Sequence, residues 1–183
     1  MNNQHSSWKE TLNIRETFRE EYLSYWINDN FLSLGWWIIL LFNVVLIYAA
    51  WKLLDRTRLF EILTIGGLTI TFSTFIDTVT VQYGLTAYPI SLTPLSPSFF
   101  TSTYTTLPII YMLVYQYFTT WKSYIVANVV VAVVLAFVIE NLLHWLNIYE
   151  YIQWNSFYSF IIYIALGVMM KGILGMLLKA DKH

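Results

Sequence analysis

The stretch from Phe72 to Phe118 decides the fold; it reads FSTFIDTVTVQYGLTAYPISLTPLSPSFFTSTYTTLPIIYMLVYQYF. It begins as an apolar helix that carries one carboxylate, Asp77, near its end. A loop without any charged residue follows from Tyr83 to Pro97, and apolar sequence resumes at Leu107. A shorter version of this plan comes later, where Glu140 ends an apolar run and an aromatic loop and another apolar run follow. The sequence therefore predicts two helix–loop–helix units, each with one acid near the end of its first helix.

The composition of the whole chain is that of a membrane protein. Of its 183 residues, 57% are hydrophobic, 19% are aromatic and only 11% are charged, with a mean hydropathy of +0.56. A soluble domain carries about 25% charged residues. So few charges leave too little polar surface to face water, and lipid must cover much of the chain.

Net charge and residue usage exclude several function classes. The net charge of −1 argues against a nucleic-acid partner, which needs a basic face. The absence of cysteine removes disulfides, thiolate metal sites and cysteine nucleophiles. The sequence has no phosphate-binding glycine loop, nucleophile elbow or metal-spaced histidine pair, so we expect neither a cofactor nor a metal. The first 30 residues lack the apolar region of a secretory signal.

Hydropathy predicts an all-α integral membrane protein in which residues 31–183 form a single domain. Each predicted span is near the ~20 residues that a ~30 Å hydrocarbon core requires, and in lipid such spans are helices. The five spans are Phe31–Trp51, Leu59–Gln82, Phe99–Phe118, Ser123–Trp145 and Asn155–Lys179. The third span begins with a polar run before Pro108, which predicts a partly unwound or lumen-facing first half.

Residues 1–30 form an amphipathic N-terminal segment, with a helix predicted from Ser7 to Asn28. Ser7 and Glu10 have the spacing of a capping box. Such a helix fits two positions: the headgroup layer with its aromatic face down, or the surface of the protein's own loops. The aromatic and apolar residues at roughly helical spacing are Trp8, Leu12, Phe18, Tyr22, Tyr25 and Trp26.

Basic residues predict the orientation, because they concentrate on the cytoplasmic side. They follow spans one, three and five, whereas the loops after spans two and four contain none. This pattern predicts a bacterial cell-membrane protein with its N-terminus outside and its C-terminus in the cytoplasm. Lys9, Arg15 and Arg19 oppose that orientation but lie farther from a span. The residues that favour it are Lys52, Arg56, Arg58, Lys122, Lys179 and Lys182.

The two units have matching spacings. Tyr88 follows Asp77 by eleven residues, and Tyr151 follows Glu140 by eleven. Both units start on the inside, so spans two and three and spans four and five form a parallel two-helix repeat about an axis along the membrane normal. The resumed apolar runs also correspond, with Ile109-Ile110-Tyr111 in one unit and Ile161-Ile162-Tyr163 in the other.

The depth of the two acids follows from residue counts. Asp77 lies nineteen residues after Arg58, and Glu140 lies eighteen after Lys122. At the helical rise per residue, both carboxylates stand about 27 Å above the inner charges. They are therefore expected at one level near the outer leaflet, facing each other or a common cavity.

Asp77 and Glu140 are the candidate catalytic residues, because acids within a span suggest a functional site and a pair that shares a proton can act as general acid and base. His144 lies one turn after Glu140 and could join them around a proton, a divalent metal or a substrate hydroxyl, although two carboxylates and one histidine match no specific metal site. The alternative is that all three reach interfacial water or bind backbone. The candidate ligand-binding residues are His144, Tyr88, Tyr111, Tyr151 and Tyr163.

Other polar residues suggest structural roles. Lys171 is interpreted as an anchor whose stem lies in lipid and whose ammonium reaches the inner headgroups. Asn43 and Asn128 are predicted to form hydrogen bonds between helices. Glu61 lies in the first turn of the second span, where the helix dipole favours an acid.

The chain resembles small uncharacterised multi-pass membrane proteins of spore-forming Firmicutes, which implies a bacterial plasma-membrane protein but no particular activity. The stretches that carry this resemblance are Phe75-Ile76-Asp77, Gly84–Pro89, Leu107–Phe118, Trp121-Lys122, Ala136-Phe137 with Glu140, Ile148-Tyr149 and Tyr158-Ser159-Phe160. That family is expected to carry an acid before the Leu-Pro pair, where this chain has Ser98-Phe99-Phe100-Thr101.

A more distant likeness is to membrane-embedded carotenoid (lycopene) cyclases, which also contain duplicated units with a membrane acid. Asp77, Tyr88-Pro89, Pro108 and Glu140 match their pattern. The cyclases place acids directly after the proline that matches Pro108, where this chain has Ile109 and Ile110. That departure argues against a proton-initiated cyclisation.

Two functions compete at this stage. In the first, the protein binds or acts on an apolar lipid or isoprenoid between the repeats near the outer leaflet, with the acids at the polar end of the ligand. In the second, it is a structural or partner-binding membrane protein without catalysis, and the acids hold helices together. Proton-coupled transport ranks last, because it needs an acid near the midplane and usually more spans. The sequence does not decide whether the protein is an enzyme.

Overall fold

The computed structural model describes residues 3–95 and 101–180, and the described chain is almost entirely helical. Two short strands are the exception. The helices are α1 (Asn3–Tyr25), α2 (Leu34–Leu53), α3 (Leu59–Gln82), α4 (Leu107–Tyr117), α5 (Trp121–Val133), α6 (Glu140–Trp145) and α7 (Ser156–Ala180). The strands are β1 (Thr86–Ala87) and β2 (Glu150–Tyr151). In the described residues, π-helical segments cover Trp26–Asn30, Ser102–Thr106 and Val134–Ile139. A 3₁₀ turn covers Arg56–Arg58.

Four helices in the described residues are long and apolar enough to cross a membrane, which supports membrane localisation. They match the first, second, fourth and fifth predicted spans to within a few residues at each end. The helix that matches the fourth predicted span, Trp121–Trp145, is called the α5–α6 helix below. It runs through a π segment without a break. The four are Leu34–Leu53, Arg56–Gln82, Trp121–Trp145 and Ser156–Ala180.

The described part of the third predicted span is one continuous helix that consists of Thr101, the π segment Ser102–Thr106 and α4. The predicted start of this span, Phe99 to Phe100, lies outside the described residues. Its polar first half is helical, so the unwound alternative is wrong for Ser102–Thr106, whereas the lumen-facing alternative fits, because Ser102, Thr103 and Thr106 line a cavity inside the bundle. The Thr105 hydroxyl of this segment donates to the Asn43 side chain.

α4 occupies the centre of the bundle. Seven of its eleven residues are buried, and it packs chiefly on α3 and also on α2. Pro108 stands in its first turn, where a missing N–H costs least. The buried residues are Leu107, Pro108, Ile109, Tyr111, Met112, Val114 and Tyr115.

The N-terminal helix differs from the sequence prediction in one respect, and its two ends fit different predicted positions. α1 begins at Asn3, so Ser7 lies inside the helix and does not cap it, and the predicted capping box is wrong. Its last turn packs on the protein's own loop, since the Tyr25 hydroxyl donates to the Pro89 carbonyl at 3.0 Å. Farther toward the N-terminus, Trp8 and Phe18 are more than half exposed, as expected of a helix lying on a membrane surface.

Asn43 and Asn128 link helices as predicted. Asn43 Oδ1 accepts a hydrogen bond from the Thr105 hydroxyl. Asn128 Nδ2 donates to the Ile164 carbonyl of α7 at 3.0 Å. Each bond gives a buried amide group a partner inside the bundle, which lipid could not do, although the buried Asn128 Oδ1 has none among the described residues.

Lys171 does not have the role that the sequence predicted. The lysine is only 7% exposed. Its Nζ donates to the carbonyls of Phe118, Thr119 and Thr120 at 3.0, 2.9 and 3.4 Å. The ammonium also lies 4.2 Å from the centroid of the Tyr124 ring. The prediction failed because it assumed lipid around the lysine, whereas the turn between α4 and α5 presents its carbonyls there.

Glu61 lies in the first turn of α3, as predicted. Its Oε2 stands 3.0 Å from Arg58 Nη2 and accepts a hydrogen bond from the Tyr115 hydroxyl at 2.9 Å. The acid therefore also ties the start of α3 to α4.

The strands join the two units at one end of the bundle. They pair antiparallel, with Ala87 opposite Glu150. Ala87 lies ten residues after Asp77, and Glu150 lies ten residues after Glu140. The register is therefore symmetric about positions that correspond in the two units.

The helices that carry the two acids also end in the same way. Gly84 and Asn147 both have a left-handed conformation, with φ of 64° and 55°, and each lies seven residues after its acid. The next residue in each unit donates its N–H to the carbonyl five residues earlier, at 2.8 and 2.9 Å. This is the Schellman ending, in which glycine or asparagine takes the left-handed position.

Gly167 allows the close approach of α5 and α7, and its replacement should be destabilising. A Cβ there would overlap the Asn128 amide, whereas a Cβ at Gly175 in the same helix would meet nothing within 4 Å. Gly167→Ala should lower the free energy of unfolding by about 1–3 kcal/mol through overpacking. Gly175→Ala, the matched control, should leave it unchanged or raise it by up to about 1 kcal/mol. Thermal unfolding in detergent checks this; equal midpoints for the two variants would contradict it.

Removal of the Lys171 ammonium should also destabilise the protein. Lys171→Met keeps the apolar stem but leaves three carbonyls without their donor, so we expect a loss of about 2 kcal/mol. Lys179→Met changes an exposed lysine two turns later in α7 and serves as the control. The same thermal unfolding assay applies. An unchanged midpoint for Lys171→Met would show that lipid or water replaces these bonds at no cost.

Candidate functional site

A cavity of about 250 Å³ lies inside the bundle at the end that carries the strands. Side chains from α2, α3, the π segment before α4, the α5–α6 helix and α7 surround it. Most of its wall is apolar, including Ile39, Leu135, Leu143 and Leu166. Its volume is slightly below the usual range for sites that enclose a small molecule.

Asp77 and Glu140 both line this cavity and are 7% and 8% exposed. Asp77 comes from α3, and Glu140 begins α6 directly after the π segment Val134–Ile139. The equal depth deduced from residue counts predicted a common cavity, and the structure confirms it.

Two tyrosines hydrogen-bond to Glu140. Tyr163 of α7 donates to Oε1 at 2.6 Å, and Tyr151 of β2 donates to Oε2 at 3.1 Å. The Tyr151 hydroxyl also lies 3.1 Å from Ser156 Oγ. Phenol donors therefore bond to both oxygens of this buried carboxyl group.

Asp77 has the equivalent partner in its own unit, because the Tyr88 hydroxyl donates to its Oδ1. Each acid thus bonds to the tyrosine that follows it by eleven residues. The strands explain this spacing: the chain reverses after each acid-bearing helix and brings the tyrosine back over the cavity. The units differ at the next tyrosine, since Tyr111 donates to the Tyr163 carbonyl at 2.6 Å and not to an acid.

Tyr149, in the loop before β2, lines the same cavity as the two acids. Burial raises the pKa of its phenol well above the usual value, and the charges of Glu140 and Asp77 raise it further. Its ring centroid lies 5.5 Å from that of Tyr88 and 4.8 Å from that of Tyr151. Burial is also the main reason that the pKa of Tyr151 rises to about 12. These phenols therefore stay protonated and act as donors at neutral pH.

The predicted ligand-binding residues divide into two groups. Tyr88 and Tyr163 line the cavity, whereas Tyr151 lies outside the wall and hydrogen-bonds to the wall residue Glu140. Tyr111 is fully buried outside the cavity wall. His144 is exposed and also outside that wall, where its Nδ1 lies 3.1 Å from the Tyr149 carbonyl oxygen.

The acids and His144 do not form a metal centre. Among the described residues no three His, Asp or Glu side chains stand close enough to hold a metal ion. What the cavity offers chemically is two carboxylate acceptors, the phenols that bind them and an apolar wall.

Sequence reasoning missed several wall residues. Ser73 and Ser159 both line the cavity and lie one turn before Asp77 and Tyr163, a spacing that could have identified them. Trp154 also lines it and donates to Ser159 Oγ at 2.9 Å. The sequence suggested no such position for Trp154, since tryptophans near span ends usually mark the interface.

One side of the cavity is formed by residues that also face outward. Phe42 of α2 and Leu142 of α6 line the cavity and are 49% and 47% exposed. α2 packs on α4 and on the π segment before it, whereas the α5–α6 helix packs on α7. The wall between α2 and α6 is therefore thin and apolar, and it faces the lipid if the bundle spans a membrane.

Tyr163→Phe should destabilise the protein, because it removes one donor from a buried carboxylate. We expect a loss of about 1–3 kcal/mol in the free energy of unfolding. Tyr158→Phe removes an exposed hydroxyl from the same helix and is the control. Thermal unfolding of both variants in one detergent measures the effect. Equal stability would mean that the bond between Tyr163 and Glu140 is dispensable.

Comparison with known proteins adds no relative. No model of a known protein family matches the chain, and searches of curated proteins and of solved structures find no similar protein. The case for a function therefore comes from the cavity and its residues.

Proposed function

We propose that the chain is a multi-pass bacterial membrane protein that binds an apolar ligand of the lipid or isoprenoid class in the cavity between its two units. Asp77 and Glu140 stand at the polar end of that ligand, with Tyr88 and Tyr163 beside them. The observation that carries the proposal is that two buried acids, far apart in sequence, line one apolar cavity. An acid within a membrane span is costly to bury and marks a functional site by default.

An unsatisfied hydroxyl supports the same proposal. Thr101 Oγ1 is buried, belongs to a residue of the cavity wall and has no hydrogen-bond partner among the described residues. A buried polar group without a partner costs about 1–3 kcal/mol. A polar atom of a bound ligand would recover that cost.

In the same proposal the chain crosses the membrane five times, with its N-terminus outside and its C-terminus in the cytoplasm. The two units are copies of one parallel repeat. The paired acid–tyrosine bonds, the identical helix endings and the symmetric strand register support the repeat. The likeness to Firmicutes membrane proteins supports a plasma-membrane location.

A structural or partner-binding role is the second candidate, and one observation favours it. The acids already bond to protein groups that join different elements, as Glu140 does with Tyr163 of α7 and Tyr151 of β2. In this case Glu140→Gln lowers thermal stability and leaves the bound lipids as before. Ligand binding predicts that the bound lipids change as well.

An enzymatic role has less support. In the cyclases that this chain distantly resembles, acids follow the proline. Here Ile109 and Ile110 occupy those positions; Ile109 is buried in the core and Ile110 packs against it. That part of the helix therefore supplies no acid. Whether the acids act on the ligand or only bind it is a question for activity assays after the ligand is known.

A cavity-filling variant tests ligand binding directly. Ile139 lines the cavity, whereas its neighbour Val138 is 55% exposed on the outside of the same helix. Protein purified from its native membrane should release an apolar molecule in native mass spectrometry. Ile139→Trp should reduce the bound fraction at least fivefold, because the indole occupies the space. Val138→Trp should keep it.

Asp77→Asn provides the second arm of this test. If the acid binds the polar end of the ligand, the amide should alter which molecules co-purify. Absence of any bound molecule from the wild-type protein, or an equal loss in both tryptophan variants, would reject ligand binding in this cavity.

A further inference from the structure

The charge of the cavity wall restricts the ligand further. The wall contains the carboxylates of Asp77 and Glu140 and no Lys, Arg or His among the described residues. The chain between Tyr83 and Trp121 has no charged residue or histidine at all, so the loop above the cavity cannot supply a cation from any position. The wall can therefore carry negative charge but no positive charge, and phenols donate to both acids.

This charge disfavours anionic amphiphiles. A fatty-acid carboxylate or an isoprenoid phosphate would bring further negative charge into a buried site that has acids and no cation, and like charges at close range repel strongly in a poorly polarisable interior. A neutral alcohol could donate one hydrogen bond to an acid. An ammonium could donate up to three and would also compensate charge.

The aromatic residues of the wall also favour a cation. Five of them surround the cavity, and the rings of Tyr88 and Tyr149 lie with centroids 5.5 Å apart. Aromatic faces attract ammonium groups, more strongly where water is excluded. Aromatic rings combined with carboxylates are the usual means by which proteins recognise amines. The five are Phe42, Tyr88, Tyr149, Trp154 and Tyr163.

The size and shape of the cavity indicate a single-chain molecule. Its volume of about 250 Å³ corresponds to roughly eight water molecules at ~30 Å³ each. That space holds a head group and the first part of one chain, and the thin wall between Phe42 and Leu142 lets the rest of the chain extend into lipid. A diacyl lipid would need a second channel.

We infer that the cavity takes a single-chain amphiphile with a protonated amine head, which lies between Asp77 and Glu140 while the apolar chain leaves between α2 and α6. This inference rests on the proposed function and adds the chemical class of the head group. It predicts discrimination by charge among molecules with the same chain.

Three probes with twelve carbons test the inference: dodecylamine, dodecan-1-ol and dodecanoic acid. The full-length protein is titrated with each probe in an uncharged detergent at neutral pH, and native mass spectrometry measures the bound fraction. The amine should reach half occupancy at a concentration at least tenfold below that of the alcohol. The acid should not bind.

Variants separate the cavity from general surface charge. Glu140→Gln and, independently, Asp77→Asn should each reduce the preference of amine over alcohol to less than threefold. Glu150→Gln removes an exposed acid from β2 near the same end and should keep the full preference. If one cavity variant does not fold, the other and the wild-type ratio still decide the matter.

The outcomes distinguish the inference from the proposed function. Equal binding of amine and alcohol, or binding of the acid, would overturn the amine assignment and leave apolar ligand binding intact. An amine preference that persists in both cavity variants, or disappears in Glu150→Gln, would also overturn it. Binding of none of the probes would count against both.

Discussion

The structure depends on the need to satisfy buried polar groups within an apolar bundle. Neither lipid nor bulk water supplies partners in its interior, so most buried acids, amides and hydroxyls bond to other groups of the chain. Glu140 shows how this is done: Tyr163 and Tyr151, from α7 and β2, each donate to one of its oxygens. Phenols here take the place of the basic residue that often pairs with an acid in a soluble core, and they bring no positive charge.

The same constraint fixes the positions of the helices. Asn128 joins α5 to α7 at the close approach made possible by Gly167, and Lys171 connects α7 to the turn between α4 and α5 through three carbonyls. Glu61 and Tyr115 tie α3 to α4. These contacts lie at or below the middle of the bundle, while the acids lie near the strands.

Much of the fold and part of the site could be predicted from the sequence, for reasons that particular residues make clear. Helical rise is constant, so residue counts predicted one depth for Asp77 and Glu140, and four of the five predicted spans coincide with helices that are long and apolar enough to cross a membrane. Contacts between distant segments leave no such signal. The role of Lys171 was mispredicted because its carbonyl partners come from another segment, and that of Ser7 because the helix begins before it.

The strand pair has a consequence for the exchange of any bound molecule. Ala87 pairs with Glu150 at the loop end of the bundle, whereas Phe42 and Leu142 form a half-exposed, apolar part of the cavity wall. A molecule that passes through that wall equilibrates with the bilayer, so its mole fraction in lipid sets the occupancy. A site of modest intrinsic affinity would then be filled by a strongly partitioning amphiphile. Dissociation constants expressed per volume of water would shift with the amount of lipid or detergent present.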